Sequence, residues 1–82
     1  MTAPKALVAG NWKMNGLKSA ATEIMKLTNL VKEGGAKCDI LICPAFTLIS
    51  TLCDMKSEYV AIGAQDCHMN MNGAHTGDIS AE

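Results

Sequence analysis

Apolar and polar positions alternate between two periods along the chain. KALVAG at 5–10 is short, apolar and partly β-branched, which predicts a buried strand of about six residues. After Asn15 and Gly16, the stretch LKSAATEIMKLTNLVKEGG places Ala20, Ile24, Leu27 and Val31 at i, i+4, i+7 and i+11, the spacing of an amphipathic helix. Ser19 or a residue just before it is the expected N-cap. Gly34 and Gly35 supply the left-handed positions that end the helix. CDILICP at 38–44 is a continuous apolar run stopped by proline, which predicts a strand covered on both faces. FTLISTLCDM returns to helical spacing through Leu48, Ile49, Leu52 and Cys53, and YVAIGAQD at 59–66 is again strand-like. The order β-α-β-α-β calls for right-handed crossovers and a parallel sheet, so the expected fold class is α/β.

CHMNMNGAHTGDISAE at 67–82 follows neither period. A loop of this length is uncommon in a compact domain and points to a functional or interacting segment. ISAE looks like the approach to another helix, and the chain reads as the front part of a larger α/β domain.

Composition narrows the function classes. With 82 residues, 49% hydrophobic and 18% charged, the chain is not disordered by composition, though its core is modest. Seven basic residues against eight acidic ones leave a net charge of −1, with no Lys/Arg cluster and only three aromatics. That excludes the electrostatic footprint of nucleic-acid binding. No apolar run approaches the roughly 20 residues that cross a bilayer, and residues 6–10 are too short for a signal core. A soluble, cytoplasmic protein without membrane partners is expected. The four cysteines contain no CxxC and lie in or beside apolar elements, the setting of buried free thiols in a reducing compartment. Cys67, His68 and His75 lack a fourth ligand at a recognisable spacing, so no metal is expected.

The candidate chemistry stands at AGNWKMNG, from position 9. Alternation along a strand puts Leu7, Ala9 and Asn11 on one face, and Lys13 joins them if the extended conformation persists. A neutral amide and a cation then share the strand's C-terminal end, where α/β sheets place ligand chemistry. The plainer alternative is that Asn11 turns the chain and Lys13 is solvated. By the same parity Gln65 follows Ala61 and Gly63 and points inward, a buried amide in need of partners. It either helps to hold Asn11 or Lys13 or contacts a substrate directly.

GNWKMNG at 10–16, GAQDC at 63–67 and GAHTGDIS at 73–80 resemble the corresponding segments of triosephosphate isomerases, in the same order. The resemblance runs from residue 5 to residue 82. It implies a (β/α)8 TIM barrel of which this chain supplies about the first three strands and two helices. Residues 1–82 are then the N-terminal part of a single domain, since three strands cannot close a barrel. The family interconverts dihydroxyacetone phosphate and glyceraldehyde 3-phosphate in glycolysis and gluconeogenesis, as a homodimer and without a cofactor.

By this resemblance Asn11 and Lys13 bind the substrate, with Lys13 the catalytic cation that stabilises the enediolate's charge. Trp12 packs between strand and helix, and Met14, Met25 and Met55 are packing residues. The 67–80 loop docks on the other subunit, with Thr76 reaching across at its tip. The general-base glutamate, the electrophilic histidine, the lid and the main phosphate grip belong to later βα loops, and neither His68 nor His75 matches the electrophile. His75 stands where many members have an aromatic residue, and Asp66 and Asp78 replace a common Asn and Glu. The 82-residue chain alone is expected to be inactive. The competing class is a truncated piece that serves only in packing or complementation.

Overall fold

The computed structural model describes residues 3–82. Three strands, β1 (Leu7–Asn11), β2 (Asp39–Cys43) and β3 (Ala61–Ile62), alternate with two helices, α1 (Ala21–Gly34) and α2 (Phe46–Asp54). The strands form one parallel sheet in chain order, with Leu7 beside Asp39 and Asn11 beside Cys43, and with Leu41 beside Ala61.

One face of this sheet is covered. Ile42 and Val60 are buried with Ala20, Ile24, Leu48 and Leu52 from the helical side, and Trp12, Leu27, Ile40 and Ile62 pack against them. Ile24 and Leu52 are almost wholly enclosed, at 1% and 2% exposure. Of the four helical positions picked out by spacing, Ala20, Ile24 and Leu27 all meet this core, and Val31 is half-buried. The Ser57 hydroxyl links the layers: it hydrogen-bonds Thr28 Oγ1 at 2.9 Å and accepts from the N–H groups of Tyr59 and Val60 at 3.2 and 3.1 Å. A small hydroxyl thereby ties α1 to the turn that launches β3.

Several local expectations are corrected. Ser19 is not the cap: it lies inside a 3-10 turn, Lys18–Ala20, that leads into α1, and among the described residues no side chain caps either start. Backbone bonds of i→i+3 type take the cap's place there; the N–H of Ala20 donates to Leu17 O at 2.8 Å. At the other end neither glycine takes the expected left-handed helical conformation: Gly34 is still helical, and Gly35 has φ 67 with ψ 131, its N–H on Val31 O. In α2 only Leu48 and Leu52 are buried, while Ile49 is half-buried and Cys53 exposed.

The expected covering of both sheet faces holds for one only. Ile42 faces the helices, whereas Leu41 and Cys43, which alternate to the other side, are half-buried. Leu7 and Val8 are 60% and 58% exposed, so β1 is an open edge. The strand predicted over 59–66 pairs only at Ala61–Ile62, with one further bond from the Gly63 N–H to Ile42 O at 2.9 Å. All four cysteines are free, but Cys53 and Cys67 are exposed rather than buried. Cys53 falls beside the Leu48 and Leu52 stripe rather than on it, and Cys67 lies in the loop after β3. No described helix is long and apolar enough to cross a membrane.

Candidate active site

The C-terminal ends of the three strands converge on one short segment of backbone. The last rung between β1 and β2 is the N–H of Trp12 donating to Cys43 O at 3.0 Å. There the extended chain stops. Lys13 has φ 57, a left-handed conformation that crowds the Cβ of an L-residue. Strand alternation therefore does not carry Lys13 onto the face of Asn11, as its spacing predicted; the backbone turn presents it instead. Asn11 takes part in that turn, since its Oδ1 accepts from the Lys13 N–H at 2.8 Å.

Gln65 arrives from beyond β3. Its Nε2 donates to Lys13 O at 2.8 Å and to Cys43 O at 3.1 Å, using both amide hydrogens. The side chain is exposed in this chain, not buried as its parity suggested. Space in front of it comes from Gly63, where a Cβ would lie 3.1 Å from Leu41 Cδ1 and 3.3 Å from Cys43 Sγ. Leu41, Cys43, Gly63 and Gln65 thus belong to the sheet face opposite the helices, the face that carries Asn11.

Asn15 also reaches into this segment, with Nδ2 donating to Trp12 O at 2.8 Å. Its pairing with Gly16 reads in sequence as a simple turn, which conceals the amide's second task. The Lys13 side chain is exposed, and neither of the two ion pairs among the described residues, Lys5 with Asp39 and Lys26 with Glu23, engages its ammonium. Asn11 and Lys13 thus offer an amide and an uncommitted cation at the strand ends, a pairing suited to a small anionic ligand.

Thr76 is not brought to this point within the chain. It sits in a turn closed by the Asp78 N–H on His75 O at 3.0 Å, with Gly77 at φ 86; a positive φ at the third turn residue is the mark of type II. The loop that carries it closes on itself. His68 donates its N–H to Ile79 O at 2.7 Å and forms a parallel bridge with Ser80. The rings of His68 and His75 stack with centroids 3.7 Å apart, and Asn70 binds both, through its N–H to His68 Nδ1 at 2.9 Å and through Nδ2 to His75 Nε2 at 3.2 Å. Nothing in the local period signals this pairing, because it depends on loop closure.

Residues 6–82 match the family model described as triosephosphate isomerase. The chain belongs to the triosephosphate isomerase family. The triosephosphate isomerase of Bradyrhizobium diazoefficiens is 51% identical over 95% of this chain and 32% of its own length. That of Xanthobacter flavus is 49% identical over 100% of this chain and 33% of its own length, and that of Rhizobium meliloti 48% identical over 95% and 31%. The chain spans about a third of the length of these curated relatives of the triosephosphate isomerase family. Its parallel βαβαβ layer is the start of the family's (β/α)8 barrel.

Proposed function

We propose that this segment supplies the Asn/Lys part of a triose-phosphate isomerase active site, in a protein that interconverts dihydroxyacetone phosphate and glyceraldehyde 3-phosphate. One observation carries the reading: Lys13, at the strand ends, is held in a left-handed conformation by bonds from Asn11 and Gln65. Backbone strain of this kind persists where surrounding structure over-determines it, and such places cluster at active sites.

The reaction moves a proton between adjacent carbons through an enediolate. A base takes the proton from one carbon and the electron pair passes to the neighbouring carbonyl oxygen; the proton of the adjacent hydroxyl then moves to that oxygen, and reprotonation at the second carbon, with the new carbonyl formed at the first, completes the exchange. Lys13 stabilises most where negative charge develops on those oxygens, and also attracts the phosphate. Asn11 binds substrate and holds Lys13; Gln65 supports Lys13 from behind. No cofactor is needed for a proton transfer of this type. The base itself is assigned to no residue of this segment.

A homodimer completes the site in this reading. Thr76 at the tip of the 67–80 loop orients Asn11 and Lys13 of the other subunit. Support comes from the apolar side chains left on the surface: Met14, which packs against nothing within this chain contrary to expectation, and Met69 are 95% and 91% exposed, and Leu17 and Met71 are 77% and 70%. Such a surface is costly in water and is covered by association. Glycolysis and gluconeogenesis in the cytoplasm are the corresponding setting.

A second reading applies to the 82-residue chain taken alone, favoured by the open edge at β1: an inactive piece that only packs or complements. One coupled assay addresses both. A full-length protein bearing residues 1–82 should turn over triose phosphate and lose that activity with Lys13→Ala, while the 82-residue chain should show none. Turnover by the short chain, abolished by Lys13→Ala, would reject the second reading; a fully active Lys13→Ala in the long protein would reject the first.

A further inference from the structure

We propose that Asn15 is a positioning residue for Lys13, one arm of an amide clamp that fixes both peptide planes flanking it. This deepens, and rests on, the reading of Lys13 as the cation that meets the substrate. The peptide unit joining Trp12 to Lys13 is held at both ends by asparagine side chains: its oxygen accepts from Asn15 Nδ2 and its N–H donates to Asn11 Oδ1, each at 2.8 Å. The following unit is held through Lys13 O by Gln65 Nε2, also at 2.8 Å.

With one plane fixed on either side, the two backbone rotations of Lys13 are no longer free, and φ 57 is imposed on it. A released lysine relaxes towards negative φ, because the left-handed conformation presses Cβ on the next carbonyl. Rotation about φ swings the Cα–Cβ bond, and the long stem multiplies that swing at the ammonium. The clamp thus sets where the charge sits.

Asn15 is placed for this by Gly16. The glycine has φ 104 and leaves little room for a Cβ, which would lie 3.0 Å from Leu48 Cδ1 and 3.4 Å from Trp12 Cε3. The turn is therefore seated against the core while the Asn15 side chain remains exposed. Removing the amide leaves the packing intact, so its loss should show in geometry rather than in folding.

The test is a double-mutant cycle in a full-length triosephosphate isomerase bearing residues 1–82. Asn15→Ala removes the donor, and Asn15→Asp keeps the shape but can only accept. Both should fold with nearly unchanged Tm and lose about tenfold to a hundredfold in kcat, the scale of a misplacement of roughly 1 Å, with a smaller change in KM. In the Lys13→Ala background Asn15→Ala should cost nothing further, because the effect travels through Lys13. Hydrogen exchange at the Lys13 N–H should quicken in Asn15→Asp. An equal loss in both backgrounds, wild-type kcat in Asn15→Asp, or failure of both variants to fold would overturn the positioning role. Full activity of Lys13→Ala by itself would instead overturn the parent reading.

Discussion

Gln65 Nε2 donates to the main-chain oxygens of both Lys13 and Cys43, across sequence separations of 52 and 22 residues. One side chain from the third βα unit thereby joins the ends of the first two. Sheet hydrogen bonds tie neighbouring strands pairwise, but among the described residues this amide alone reaches from beyond β3 to the turn after β1, so it couples that turn to the whole layer.

Gln65→Leu should therefore affect turnover more than stability. The freed carbonyls are near the surface, where water can replace the amide, and the stability loss should be about 1 kcal/mol. The loss in kcat/KM should be about tenfold or more, since a displaced cation forfeits its aim. Urea unfolding and steady-state kinetics on one full-length variant decide it; a large loss of stability with normal turnover would show Gln65 to be purely structural.

At Lys13 the size and shape of the cation should matter. Lys13→Ala should lower kcat/KM by at least about a hundredfold, the scale of losing one preorganised electrostatic group. Lys13→Arg should recover little, because a planar guanidinium cannot take the position of a compact ammonium. Near-normal kinetics in Lys13→Arg would mean that charge at long range suffices.

Thr76→Arg tests the loop. Its tip is a narrow turn with glycine on one side, and a long charged side chain there should block docking on a second copy while leaving the loop's own closure intact. Sedimentation should show a folded monomer with strongly reduced turnover. A dimer with full activity would remove the loop from the interface.

Gly73→Ala strikes the loop from within. Gly73 has φ 137, and an added Cβ would lie 2.7 Å from His75 Nε2, so the substitution both strains the backbone and pushes the ring. The expected cost is about 1–3 kcal/mol of local stability. Faster hydrogen exchange at the Asn70 N–H, which is bonded to His68 Nδ1, would report the opened stack; unchanged exchange would show that the ring yields without loss.

The fold was legible wherever one period ran long enough to be counted. Ile24, Leu27 and Val31, with Ala20 just before the helix, mark the face of α1 because helical spacing is a property of the chain itself. Where a partner at a distance decides the conformation, the period misleads. Lys13 continues the parity of Asn11 on paper, yet the strand ends at Asn11 and φ turns positive. Ser19 has the chemistry of a cap but is overtaken by a 3-10 turn. Alternation suggested a buried Gln65, which is exposed in this chain; its link to Lys13 was among the sequence readings, its second bond to Cys43 O was not, and Asn15 was hidden behind the ordinary preference of Asn and Gly for turns.

Because the sheet runs β1-β2-β3 in chain order, it can be laid down as the polypeptide leaves the ribosome, each strand finding its neighbour already made. The Lys13 segment has to wait. Gln65 emerges 52 residues behind it, a delay of about 3–10 s at ordinary rates of synthesis. Until then only the peptide plane before Lys13 has its partners, Asn11 and Asn15, and the plane after it is unheld. In the nascent chain the paired strands precede the finished turn at Lys13, and the arrival of one glutamine marks the change from one to the other.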